Sequence, residues 1–355
     1  MSVMNHSRLR SGLWMLCLIA CLGFTSLANA QKYVQTNLVS DVPGWAATTD
    51  PNLVNAWGIS FSPTSPMWIA DNGTGLSTLY SGSSIIPLVV TIPPPGSTGT
   101  SAPTGAVFNG GGAFNVTSNS LTGSSVFIFD TEDGTINGWS PSVDVHNAVV
   151  AVNNSWSGAV YKGLAIGSIP DGTFIYATNF NSGWIEMYDS NFKWVKNFTD
   201  TELPWGYAPF GIQNINGYLY VTFALQDEAK HDDVAGPGHG FVDIFDLKGN
   251  KLKRLISRGW LNSPWGLALA PAKFGSFSGD LLVGNFGNGH ITAFNISSGV
   301  SFGQMIRPTG QTLEIQGLWG LKFGNGAAAG PTNTLLFTSG PGGESHGLYG
   351  TLTAK

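Results

Sequence analysis

One short pattern constrains this chain more than any other: a variable residue, then glycine, then an apolar residue, repeated six times. The copies are Trp57-Gly58-Ile59, Thr104-Gly105-Ala106, Lys162-Gly163-Leu164, Phe210-Gly211-Ile212, Trp265-Gly266-Leu267 and Trp319-Gly320-Leu321. Successive glycines lie 47, 58, 48, 55 and 54 residues apart. Such intervals suit a four-stranded propeller blade. Each copy is followed by a compact apolar strand, such as Met67-Trp68-Ile69-Ala70 or Leu335-Leu336-Phe337-Thr338. A third strand then ends on an aromatic, at Tyr80, Trp139, Tyr188, Phe245, Phe294 and Tyr349. Blade sheets pack on both faces, so apolar runs without strict alternation are what they require. The pattern predicts an all-β, six-bladed β-propeller.

Only Gly350 to Lys355 follow Tyr349, which leaves the last blade one strand short. Residues 34–41, VQTNLVSD, are similar to WVKNFTD at 194–200, the fourth strand of the third unit. An N-terminal strand is therefore expected to complete the sixth blade, closing the ring and covering two exposed edges.

Residues 1–30 read as an export signal. Arg8 and Arg10 precede the apolar run Leu13 to Phe24, and Ala28-Asn29-Ala30 is a small-x-small cleavage site. A competing reading takes Leu18-Ile19-Ala20-Cys21 as a lipobox that would leave Cys21 lipidated. Residues 31–355 then form a single propeller domain, secreted or periplasmic. Both cysteines, Cys17 and Cys21, fall within the signal, so disulfides, thiolate metal sites and cysteine nucleophiles are excluded from the mature chain. Losing Arg8 and Arg10 takes the formal net charge from −5 to −7. An acidic chain without a basic run is a poor nucleic-acid binder, and no apolar stretch after residue 30 is long enough to span a membrane. The 48 glycines and 19 prolines describe a chain that turns often.

On these features the chain resembles six-bladed NHL and SMP-30-like propellers. More closely, it resembles an uncharacterised family of secreted bacterial propellers, some carrying a C-terminal PEP-CTERM sorting tail. The resemblance rests on NLVNAWGIS, on YAPFGIQNINGYLYVTFALQDEAKHDDVAGPGHGFVDIFD and on SPWGLALAP. No activity is established for that family, so the resemblance speaks to fold and export. After Tyr349 there is no Pro-Glu-Pro, apolar anchor or basic end, so release rather than surface sorting is expected.

In a propeller, the connections entering the innermost strands and the loops between second and third strands open on one face. The loop over residues 225–240 is the longest of these, and it packs Asp227, Glu228, Lys230, His231, Asp232 and Asp233 into seven positions. It is expected to be a lid. Glu228, His231 and His239 are its acid-base candidates, because a carboxylate and an imidazole brought together move protons or hold a metal. His290 and His346 occupy the place of His239 in their own blades and are candidate ligand contacts. Trp57, Trp265 and Trp319 should line or plug the channel, and Trp184 and Trp205 lie on the same face. An exposed indole there would stack on a sugar or another planar ligand.

The residues just past the second strands are Asp71, Asp130, Asn179, Ala224, Asn285 and Ser339. Asp and Asn there either bond turn backbone or converge as oxygen ligands for Ca²⁺ or another divalent metal. SMP-30-like propellers hold a metal at that mouth, and the resemblance implies Asp71, Asn179 and Asn285 as its ligands. No nucleotide-binding or serine-hydrolase motif is present, so no nucleotide cofactor is expected. Two functions remain. One is a monomeric module binding a small molecule, glycan or extracellular protein; the other is a metal-dependent, lactonase-like hydrolase or lyase.

Overall fold

The computed structural model describes residues 31–96 and 98–355; the signal and lipobox readings concern residues outside these. The described chain is a six-bladed β-propeller. Blade 1 comprises Ala56–Ser60, Met67–Asp71, Leu76–Ser81 and Ser84–Thr91, from channel to rim. Blade 2 comprises Pro103–Phe108, Phe127–Thr131, Thr135–Trp139 and Val149–Asn153, with an added hairpin, Asn115–Ser118 and Leu121–Ser124. Blade 3 comprises Tyr161–Ile169, Gly172–Asn179, Trp184–Tyr188 and Trp194–Phe198. Blade 4 comprises Tyr207–Ile215, Tyr218–Leu225, Phe241–Asp246 and Lys251–Ser257. Blade 5 comprises Pro264–Leu269, Leu281–Asn285, Ile291–Phe294 and Ser301–Gln304. Blade 6 comprises Leu318–Phe323, Leu335–Ser339 and Leu348–Ala354, and takes its outer strand from Tyr33–Ser40. That strand pairs antiparallel with Leu348–Ala354, Tyr33 opposite Ala354, which is the closure expected from the VQTNLVSD similarity. Among the described residues no helix is long and apolar enough to cross a membrane.

The repeated glycine has a steric cause. A Cβ on Gly58 would lie 2.4 Å from the Thr104 carbonyl oxygen, and one on Gly211 would lie 2.2 Å from that of Trp265. On Gly266 it would meet the Trp319 oxygen at 2.5 Å, and on Gly320 the Trp57 oxygen at 2.6 Å. Each glycine thus lets one inner strand touch the backbone of the next, around a closed circle. The pairing of first and second strands shifts at this point in every blade, a β-bulge that turns the preceding residue toward the channel mouth. A buried second-strand side chain bonds the bulge in several blades. Gly211 N–H donates to Thr222 Oγ1 at 2.8 Å and Gly320 N–H to Thr338 Oγ1 at 2.9 Å. Thr178 Oγ1 donates to the Phe210 carbonyl of the next blade at 2.6 Å.

Each pair of adjacent blades encloses its own apolar cluster, and a seventh cluster fills the channel. The core is therefore a ring of interfaces, so ring closure decides whether each is complete. One aromatic position differs from expectation. In blades 1 to 5 the aromatic closing the third strand faces an equivalent apolar residue early in the second strand, Met67, Phe127, Ile175, Leu219 and Leu281 in turn. In blade 6 Leu352 holds that place, opposite Leu335, and Tyr349 sits near the start of its strand.

Candidate functional site

The residues ahead of the ring glycines meet at one end of the channel and seal it. Trp57 and Trp319 stack with ring centroids 3.5 Å apart, and Phe286 stacks on the other side of Trp319 at 3.9 Å. Trp265 meets both tryptophans edge-on. Trp57 and Trp319 are buried, so they form a plug rather than a surface open to ligand.

Blade 3 departs from the aromatic pattern with Lys162, whose side chain is only 1% exposed. Its ammonium lies 5.3 Å from the centre of the Trp57 ring and 5.9 Å from that of Phe180. Above the plug it donates to Glu132 Oε1 of blade 2 and, at 3.1 Å, to Asp232 Oδ1 of the long blade 4 loop. Burial alone would lower the Lys162 pKa, but Glu132 and then Asp232 outweigh it and hold the pKa above its ordinary value. Partial burial raises the Asp232 pKa. Lys162 and the His231 hydrogen bond overcome that and hold it below the usual carboxylate range. His231 Nδ1 lies 2.9 Å from Asp232 Oδ1. Amides extend the network. Asn72 Nδ2 donates to Glu132 Oε2 at 2.8 Å, and Asn55 Nδ2 donates to Asn72 Oδ1 at 3.0 Å and to Glu344 Oε2 at 2.8 Å. The floor holds the network in place through Trp319 Nε1, which donates to Asn55 Oδ1 at 3.0 Å, and Trp265 Nε1, which donates to the Lys162 carbonyl at 2.7 Å.

The long loop crosses this mouth as an irregular turn. Asp227 Oδ1 accepts from the backbone N–H of His231 at 2.9 Å and of Asp232 at 3.3 Å, which folds the turn so that Asp232 reaches Lys162. Gly236 N–H donates to Asn262 Oδ1 at 2.7 Å and anchors its far end. Glu228 lies exposed on the turn. His239 Nδ1 contacts the Val234 carbonyl at 2.8 Å, within the loop itself. Of the three acid-base candidates, only His231 joins the network.

The other sequence candidates are placed apart. His290 Nδ1 lies 3.0 Å from Gln304 Nε2, and His346 Nδ1 lies 2.8 Å from Asp41 Oδ2 with its ring edge-on to Trp45, so neither imidazole joins the Lys162 network. Strand register puts Asp71, Thr131, Asn179, Phe223, Asn285 and Ser339 at equivalent positions. Asp130 therefore sits one residue deeper than expected, and Ala224 one residue beyond. Asn179 Oδ1 accepts from Val160 and Ser182 N–H, while its amide donates to Glu186 Oε1 at 2.8 Å. Asn285 Oδ1 accepts from Asn262 N–H, and its amide donates to the Trp260 carbonyl. These two side chains are engaged by separate turns and share no site. Asp71 is buried with neither carboxylate oxygen hydrogen-bonded, and burial pushes its pKa well up.

Among the described residues, one set of carboxylates and imidazole has metal-ligand proximity: Glu132, His231 and Asp232, with ligand atoms within 4.8 Å of one another. The Lys162 ammonium already bonds both carboxylates, so a divalent ion would have to displace it. Lys162 and Glu132 were not singled out from sequence. The available signal was a lysine in a slot that elsewhere holds Trp, Phe or Thr.

Around this centre runs a rim of exposed indoles. Trp45, Trp156, Trp205 and Trp260 each lie on a connection entering an inner strand, and Trp184 opens a third strand, so all five belong to the same face. Trp205 is 95% exposed and Trp156 83%.

The fold and mouth define a six-bladed propeller with an aromatic-sealed channel and a polar, lysine-centred depression on one face. No described protein-family profile matches the chain. It is 35% identical over 295 residues to the uncharacterized protein R648 of Acanthamoeba polyphaga mimivirus, covering 80% of this chain and 72% of that protein. To the uncharacterized protein L690 of the same virus it is 32% identical over 295 residues, covering 80% and 77%. The chain belongs to the family of these proteins. Among solved structures it is similar to virginiamycin B lyase from Staphylococcus aureus, with TM-score 0.51 and 14% identity over 91% of this chain and 99% of that one. It is also similar to a luciferin-regenerating enzyme, with TM-score 0.52 and 14% identity over 86% and 94%. These likenesses show the fold, and they place enzymes among its structural neighbours.

Proposed function

We propose that the chain is an exported propeller that binds a glycan on the tryptophan-rimmed face. The observation that carries this reading is the set of five exposed indoles around a centre of carboxylates and amides. Sugar rings present an apolar face that stacks on indole and hydroxyls that bond carboxylate and amide oxygens. Large apolar side chains gathered on one face of a fold mark binding sites, and Trp205 leaves almost its whole ring in solvent. Glu132, Asp232 and Glu344 supply acceptors, while Lys162 keeps two of those carboxylates from repelling each other. Export, as residues 1–30 suggest, would bring this face to extracellular glycans.

Glycan-array screening followed by calorimetry tests the proposal. Trp205→Ala with Trp260→Ala is expected to weaken the best glycan at least tenfold with little change in unfolding temperature, since Trp205 is 95% exposed and Trp260 53%. Equal affinity in wild type and double variant would overturn it. The nearness of His231 to Glu132 and Asp232 supports a second reading, an acid-base hydrolase or lyase acting at the same mouth. Turnover of a bound ligand, lost in His231→Ala, would favour that reading.

A further inference from the structure

The opposite end of the channel carries a feature that the top-face reading does not use. Inner strand Leu318–Phe323 starts at the aromatic plug and runs to the other face, which places Lys322 at the lower mouth. Two cavities, of about 370 and 310 Å³, meet there and share Gln213, Asn214 and Lys322. One is walled by Phe61, Val107, Phe108, Leu164 and Ile166, the other by Leu267, Leu269 and Phe323. No acidic residue lines either cavity, and Lys322 is the one charged group in both linings. Its ammonium sits 5.2 Å from the centre of the Phe61 ring. Among the described residues it has no ion pair or hydrogen bond, and neither have the Ser60 hydroxyl and the Gln213 amide. The Asn214 side chain, by contrast, is spent on the Ile166 carbonyl and the Gly217 N–H.

A partly buried ammonium on an apolar wall with no counter-ion is an unpaired charge that an incoming anion would stabilise. Burial pulls the Lys322 pKa down to about 8, which leaves it mostly protonated at pH 7. Three unspent polar groups on an apolar wall are the usual composition of a small-ligand pocket, and the volumes lie in the range such pockets occupy. We propose that the lower channel binds a small organic carboxylate carried on an apolar body, with Lys322 as its cation and Ser60 and Gln213 as its hydrogen-bonding partners. The site is separate from the glycan face. Between them lie the tryptophan plug and a constriction of about 30 Å³ at Gly58, Gly105, Gly163 and Gly320, which has room for about one water.

Calorimetric titration of residues 31–355 with hexanoate, hexanol, hexylamine and sulfate at pH 7 tests the inference. Hexanoate is expected to bind at least tenfold more tightly than the other three, and Lys322→Met to lose at least tenfold of that affinity. Hexanoate affinity should also fall as pH rises through 8, because the protonated amine is the form that attracts the anion. Hexanol binding as well as hexanoate, or a folded Lys322→Met variant binding hexanoate like wild type, would overturn the cation's role. Sulfate binding as well as hexanoate would overturn the apolar one. A readout on the unsubstituted protein guards against a variant that fails to fold. Hexanoate should protect Lys322, and not the exposed Lys193, from acetylation by acetic anhydride, read by peptide mass spectrometry. Absence of that protection, or of any hexanoate binding, would sink the proposal.

Discussion

Gly211→Ala is expected to destabilise the propeller by more than about 3 kcal/mol, the upper range of overpacking in a closed core. The added methyl would sit 2.2 Å from the Trp265 carbonyl oxygen, nearer than non-bonded atoms approach. Backbone cannot swing aside as a side chain would. Trp265 is fixed between Pro264, paired with Asn285, and Gly266, paired with Gly284. Sliding the whole of blade 5 is no escape, because Gly266 already rests against the Trp319 carbonyl and Gly320 against that of Trp57. The displacement would travel around a closed circle and return to its origin. Gly163→Ala is the graded control: its methyl would meet the Phe210 oxygen at 3.0 Å, a contact that a small shift relieves. Urea unfolding of both variants should place Gly211→Ala well below Gly163→Ala. A Gly211→Ala protein within 1 kcal/mol of wild type would show that the steric account of the repeat is wrong.

The second large effect concerns pH. Asp130 is buried where blades 3, 4 and 6 carry Thr178, Thr222 and Thr338. Its Oδ1 accepts from Gly105 N–H at 2.6 Å and from Thr104 Oγ1 at 3.0 Å, while Oδ2 has no partner. Burial pushes its pKa up from 3.8 to about 7, against the opposing pull of those two hydrogen bonds. The folded state therefore holds this proton more tightly than the unfolded state. The stabilisation is fully present below pH 4 and is lost as pH rises from about 4 to about 7. At about 1.4 kcal/mol per pH unit, the loss is on the order of 4 kcal/mol. Asp130→Asn keeps an acceptor toward Gly105 and Thr104 and cannot ionise. Its stability relative to wild type should climb by a few kcal/mol between pH 4.5 and pH 8, measured by urea unfolding at each pH. A difference independent of pH would mean that Asp130 stays ionised throughout.

The glycine repeat was legible because backbone contact between blades tolerates no side chain, and so writes the same residue six times. Closure by the N-terminal strand was legible for a related reason: a blade lacking an edge strand has to find one. Tyr349 misled because aromatic identity was read without register; Leu352 fills the packing role from three residues further along the same strand. The candidate site was harder to read. Lys162, Glu132 and Asp232 come from three blades, and nothing local to any one of them announces the other two. Asn179 and Asn285 were conspicuous in sequence because turns favour them, and turn backbone is what holds them. Lys322 carried a weak sign, a charge inside an inner strand, whose meaning depends on the missing carboxylate across the channel.

The pairing of Tyr33–Ser40 with Leu348–Ala354 also has a kinetic meaning. Blades 1 to 5 assemble from strands that follow one another, so their contacts are local and their hairpins can form quickly. Blade 6 must join segments some 300 residues apart, and the entropy of closing that loop falls on this one step. The outer strand of the last blade thus acts as a latch that engages late. Until it does, the third strand of that blade offers an unpaired edge to any neighbouring chain. Dilution or a chaperone that shields such edges should therefore govern the yield of refolded protein more than the stability of the finished ring does.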